Sequence, residues 1–173
     1  MTIATRAAIT PSLPGVGVRP VSRGDAADLQ RFYAELSPEA RHHRFMATRA
    51  GISPAEATSY ALVDHEHREG FVAVVADGDQ PGRIVGHLCL EPRGDQRVEF
   101  AIVVADAAQR HHVGTALLEA GLAWAKARGI VDLEAVTELD NVALLELVMA
   151  CDPWTRVGPA AAGTVPLTLP TNR

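Results

Sequence analysis

The chain has 173 residues, 47% of them hydrophobic and 21% charged, a balance that suits a soluble globular protein with its own core. Its formal net charge of −5 argues against nucleic acid as a partner, because phosphate contacts need clustered Lys and Arg; a cationic small molecule or a basic peptide is mildly favoured instead. No apolar run reaches the roughly 18 residues of a membrane helix, and Cys89 and Cys151 lie in apolar stretches without metal or redox spacing, as expected of reduced thiols in the cytoplasm.

Residues 1–15 lack a continuous apolar stretch and read as a flexible arm, leaving 16–173 as a single domain. Val16 to Val21 reads as a first strand. From Asp25 a helical pattern begins, with Leu29, Phe32, Tyr33 and Leu36 recurring on one face. Ser37-Pro38-Glu39 and Ser53-Pro54-Ala55-Glu56 each place an N-cap serine before a proline, with glutamate in the first turn, and so open two further helices. The period then changes. Gly70 to Gly78, Arg83 to Glu91 and Arg97 to Val104 read as three strands of an antiparallel meander, with Arg93-Gly94-Asp95 as a turn and not an adhesion motif.

Val113 to Arg128 returns to helical spacing, with Val113, Leu117, Ala120 and Trp124 on one line and Gly129 as its stop. A strand over 130–136, a helix over Asn141 to Cys151 and two short strands around Trp154–Val157 and Gly163–Leu169 complete the order. Pro166 assigns the last strand to a sheet edge. The fold class is α/β (α+β), a mixed and mostly antiparallel sheet of about six to seven strands flanked by helices.

Chemistry concentrates where the third meander strand runs through Gln109-Arg110-His111-His112-Val113-Gly114 into a helix. A helix N-terminus offers unpaired N–H groups and a positive dipole end, which together suit an anion. This segment resembles the acetyl-coenzyme-A signature of the GNAT family of N-acetyltransferases, Arg/Gln-x-x-Gly-x-Gly/Ala. Gly86 within Ile84-Val85-Gly86, Glu99 ten residues before Gln109, and Asn141 followed by Ala143 and Leu144 agree with that family's pattern. Leu36 to Met46 is similar to the Ser-x-x-Ser-x-x-x-Arg-Phe element of the bacterial protein-lysine acetyltransferase branch, with Ala40 in place of its second serine.

The resemblance implies acetyl-CoA as cosubstrate and no metal. It places pantetheine and the thioester oxygen on the backbone of Ile102, Val103 and Val104, and the pyrophosphate on Gln109, Arg110, His111, His112, Val113, Gly114 and Thr115. Asn141 would touch the pantetheine arm. Glu99 becomes the candidate general base. A carboxylate in an otherwise apolar strand is costly unless paired or used, and partial burial would raise its pKa toward the working range. Its alternative role is an ion pair with Arg97 or Arg83. The acceptor is expected to be an amine, a protein lysine first and a small molecule second, with the protein a monomer or homodimer that contacts neither nucleic acid nor membrane.

Three departures from the family pattern stand out: His112 in place of a glycine, Leu147 where many members carry a tyrosine, and Asp152-Pro153-Trp154 in place of Gly-Phe. They keep a catalytically silent acyl-CoA-binding module open as the rival reading. The histidines at 42 and 43, 65 and 67, and 111 and 112 lack the spacing of a hydrolytic zinc site. Trp124 is expected in the core, and Trp154 in the core or on an acceptor-pocket wall. Asp64 and Glu66 are candidates for attracting a cationic amine. Arg41 and Arg44 are surface charges or steering groups.

Overall fold

The computed structural model describes residues 11–172 apart from 77, 79 and 95; residues 1–10 of the expected arm lie outside the described residues. The end of that arm is docked: the Ser12 N–H donates to the His111 carbonyl at 2.9 Å, and Leu13 packs on the core. The elements follow as β1 (Val16–Pro20), α1 (Ala26–Glu35), α2 (Pro38–Phe45), α3 (Pro54–Ala61), β2 (Glu69–Val75), β3 (Ile84–Pro92), β4 (Arg97–Val104), α4 (Val113–Ala127), β5 (Asp132–Glu138), α5 (Val142–Cys151), β6 (Arg156–Val157) and β7 (Thr164–Pro170).

The strands form one seven-stranded sheet in the order β1-β2-β3-β4-β5-β7-β6, antiparallel except where β4 meets β5. Local signals act as their chemistry requires. Ser37 and Ser53 cap α2 and α3 through their hydroxyls, and Glu56 closes a capping box back onto the Ser53 N–H at 2.8 Å. Gly129, at φ +67°, ends α4.

β7 corrects the edge assignment, because it lies between β5 and β6. Its proline is tolerated for a local reason. The Pro166 carbonyl accepts from the Gly158 N–H at 2.9 Å, on the β6 side. A strand residue's N–H and C=O point the same way, so the missing donor faces the end of a two-residue strand and costs no ladder bond.

Apolar side chains pack on both faces of the sheet. Leu88, Leu90, Phe100, Leu133 and Leu167 meet Val113, Leu117 and Leu118 of α4 on one side, while Leu29, Phe32, Tyr33 and Ala57 cover Val72 and Val103 on the other. β3 is buried on both faces over seven consecutive residues, Ile84 to Leu90, as a central strand must be. Among the described residues no helix is long and apolar enough to cross a membrane.

Candidate active site

β4 and β5 pair over three rungs only, Arg97↔Asp132, Val98↔Leu133 and Glu99↔Glu134. Beyond them β4 stays with β3 as far as Val104↔Gly86, whereas β5 follows β7 to Glu138↔Thr164. The sheet opens between the two strands. A cleft of about 690 Å³ occupies the opening, bounded by Ile102, Val103 and Val104 of β4, the start of α4, the start of α5 and the α2 residues Ala40, His43 and Arg44.

At one end of the cleft, φ is +61° at Arg110 and +58° at His112. His112 adopts the left-handed conformation as N-cap of α4 (φ 58°, ψ 14°), and its side chain does not cap the helix. The family's glycine is thus replaced without loss of the turn: histidine takes the backbone geometry that glycine takes freely, at a cost of roughly 1–2 kcal/mol. Alternation of φ sign over Arg110, His111 and His112 is the kind of backbone that gathers N–H groups into an anion-binding concavity. Gly114 lets α4 approach α5 closely: a Cβ there would lie 3.2 Å from Leu147 Cδ2, and the leucine would have to shift by a few tenths of an ångström.

The predicted coenzyme residues largely converge. Ile102, Val103, Val104, Gln109, Arg110, His112, Gly114, Thr115 and Asn141 line the cleft. His111 and Val113 do not: the His111 carbonyl holds the N-terminal segment, and Val113 is a core residue at 1% exposure. The Gln109 side-chain amide donates to the Val104 carbonyl at 3.2 Å, tying the loop to the end of β4. Asn141 is committed inside the protein. Its Oδ1 accepts from the Leu144 N–H at 3.2 Å, and its Nδ2 donates to Thr137 Oγ1 at 3.0 Å, so it caps α5.

Glu99 sits on the last β4–β5 rung, beside the opening but outside the cleft lining. It shares the α2 side of the sheet with Ala101 and Val103, as expected from strand alternation. The partial burial expected of it is slight: the side chain is 40% exposed and ion-paired with Arg93. Arg97 and Arg83, the partners expected from sequence, instead hold Glu134 and Glu35.

Nearer the α2 end, His42 Nε2 and His43 Nδ1 lie 3.0 and 3.3 Å from the two Glu138 carboxylate oxygens, which ties α2 to the end of β5. His43, Glu138 and Asp140 also present ligand atoms within 4.8 Å of one another. This grouping joins residues nearly a hundred positions apart in the chain, and Glu138 was absent from the sequence reading. The alternation of Glu134, Val136 and Glu138 along β5 was the signal that could have placed it on the open face.

Other candidates fall away from the cleft. The Asp64 carboxylate accepts the N–H groups of Glu66, His67 and Arg68, and these bonds hold it far below the usual carboxylate range; it closes a turn. Arg41 spends its guanidinium on the carbonyls of Ala34, Leu36 and Arg49. Trp124 is core, whereas Trp154 is 62% exposed, neither core nor cleft wall.

A sheet opened between a β4-like and a β5-like strand, with a helix N-terminus at its mouth, defines a class of acyl-transfer proteins, and comparison with known proteins agrees. Residues 28–151 match the acetyltransferase (GNAT) family. The GNAT domain of PAT from S. lividans is similar over 88% of this chain and 89% of its own, with 25% identity and a TM-score of 0.78. Two folds at lower identity also superpose. The putative acetyltransferase yncA from Salmonella typhimurium, solved with its cofactor acetyl-CoA, has 15% identity and a TM-score of 0.72 over 92% of this chain and 95% of its own. A phosphinothricin acetyltransferase from Sinorhizobium meliloti, in complex with AcCoA, has 18% identity and a TM-score of 0.72 over 90% and 88%. The chain belongs to the GNAT family and is an acetyl-CoA-dependent N-acetyltransferase.

Proposed function

We propose that this protein moves the acetyl group of acetyl-CoA to a primary amine by direct attack within a ternary complex. The observation that carries the reading is the intact left-handed turn at His112 leading into an uncapped α4 beside an opened β4. In this reading the N–H groups from Gln109 to Thr115 hold the pyrophosphate, and an N–H of the Ile102–Val104 segment holds the thioester oxygen as negative charge develops there. Glu99, through water, takes the proton that the amine loses when the new C–N bond forms. Leu147 offers no proton to the departing thiolate, which leaves unaided because a thiol is far more acidic than an alcohol.

A protein lysine is the first acceptor class, supported by the 25% identity with the PAT domain and by the Ser37–Phe45 segment. A small-molecule amine is the second. The cytoplasm, where the two thiols stay reduced, is the setting this chemistry implies.

Calorimetric titration with acetyl-CoA, with free CoA and ATP as controls, tests binding. Thiol release during an acceptor screen tests transfer. Wild type and Glu99→Gln are expected to bind acetyl-CoA alike in the micromolar range, with turnover falling about 10²–10⁴-fold in the variant. Absence of binding at millimolar ligand would overturn the coenzyme site, and unaltered turnover in Glu99→Gln would remove that residue from the mechanism.

A further inference from the structure

Arg44 lies in a part of the cleft that the coenzyme reading leaves unassigned. Its guanidinium carbon lies 4.9 Å from the Phe45 ring centre, 5.8 Å from that of Tyr60 and 5.9 Å from that of Tyr33. The rings fix its position and soften its charge, but they carry no counter-charge. Nη2 reaches Tyr60 Oη and Cys89 Sγ only at 3.5 Å, and the buried Nε donates to nothing. Among the described residues no carboxylate lies within 4.0 Å of it.

None of its neighbours can supply the missing charge near neutral pH. Burial pushes the Tyr33 and Tyr60 hydroxyls and the Cys89 thiol up, and holds His87 down to about 3, so all four stay neutral. Burial also opposes the charge of Arg44, but the guanidinium is basic enough to stay protonated at neutral pH. The strand carboxylates on the same face of the sheet are engaged elsewhere: Glu91 with Arg68, Glu99 with Arg93, Asp132 with Arg156, Glu134 with Arg97, and Glu138 with His42 and His43. A half-buried guanidinium with an unbonded Nε and no counter-charge is a ready partner for an anionic ligand.

The position of Arg44 says which ligand. It lines the cleft with Ala40, His43 and Val103 on the α2 side of the sheet, away from the His112 turn where the coenzyme's phosphates belong. That side is left for the acceptor. We propose that Arg44 binds a carboxylate of the acceptor, which is therefore a small amino acid presenting its amine and its carboxylate to one cleft. A planar guanidinium matches a carboxylate with paired donors, as an ammonium group does not. This inference rests on the acetyl-transfer reading and selects the second of its two acceptor classes.

The test compares the N-acetylated common amino acids, as product-like acids, with their own carboxamides. Binding to the full-length protein is measured by calorimetry and thermal shift, with and without saturating CoA. At least one acid is expected to bind about tenfold or more tightly than its amide. Arg44→Gln should abolish the difference and Arg44→Lys should keep part of it, both with CoA affinity intact. Acids and amides that bind wild type alike, or not at all, overturn the inference, and this comparison needs no variant to fold. A lysine peptide acetylated equally well by wild type and Arg44→Gln overturns it too, while leaving the acetyl-transfer reading standing. Failure of CoA itself to bind is scored separately, against that reading alone.

Discussion

His112 separates two things that a glycine contributes to a phosphate-binding turn: freedom of φ and absence of a side chain. The structure keeps the first at φ 58° while the second is lost. His112→Gly relieves about 1–2 kcal/mol of left-handed strain but adds about 0.4–1 kcal/mol of unfolded-state entropy. The variant is therefore expected to gain between zero and about 1.6 kcal/mol in urea denaturation, with acetyl-CoA affinity equal or tighter by calorimetry. A loss of stability would mean that the imidazole makes compensating contacts. Glu99 teaches the converse lesson. Its place in an apolar strand was legible, but its partner was not, because Arg93 reaches it from a turn whose path no local pattern specifies.

At the scale of the element, capping chemistry makes a pH-dependent claim. The Ser53 N–H, Arg49 and the Ser53 hydroxyl hold Glu56 down at about 2, from an ordinary value near 4.5. A carboxylate with a depressed folded-state pKa stabilises the fold above its unfolded pKa, and that contribution disappears as pH falls through the folded value. Glu56→Gln should therefore be less stable than wild type at neutral pH, with the gap closing between about pH 4.5 and about pH 2. The side chain is 38% exposed, so solvent screening keeps the effect small. A gap independent of pH would show that packing and not charge is responsible.

The seat of α4 on the sheet gives a second test at this scale. A Cβ at Gly86 would lie 2.9 Å from Leu117 Cδ1, in a core where Leu117 is fully buried. Gly86→Ala should cost about 1–3 kcal/mol through overpacking, which lowers the melting temperature by roughly 2–12 °C. An unchanged melting temperature would mean that Leu117 has room to turn aside.

For the whole molecule, the decisive feature is a sheet held together on both sides of a gap. The coenzyme reading places a ligand across that gap, between β4, α4 and α5, so binding should add to global stability. At a hundredfold excess over the dissociation constant the gain is about 2.7 kcal/mol, a rise of roughly 5–10 °C in melting temperature. ATP at the same concentration should give no comparable rise, and an equal rise with ATP would count against a coenzyme-specific site. The sequence by itself determined the helix starts at Ser37, Ser53 and Asn141, the meander, the end of α4 at Gly129 and the strand–turn–helix that meets an anion. Each of these is encoded within a few residues by hydrogen-bonding capacity, φ preference or apolar period. Tertiary structure alone decided the placement of β7 inside the sheet, the ion pair at Glu99, the joining of His42 and His43 to Glu138, and the seat of Arg44 among aromatic rings without a counter-ion. Those depend on which distant segments meet, and that follows from packing the sheet's two faces at once, not from any local propensity.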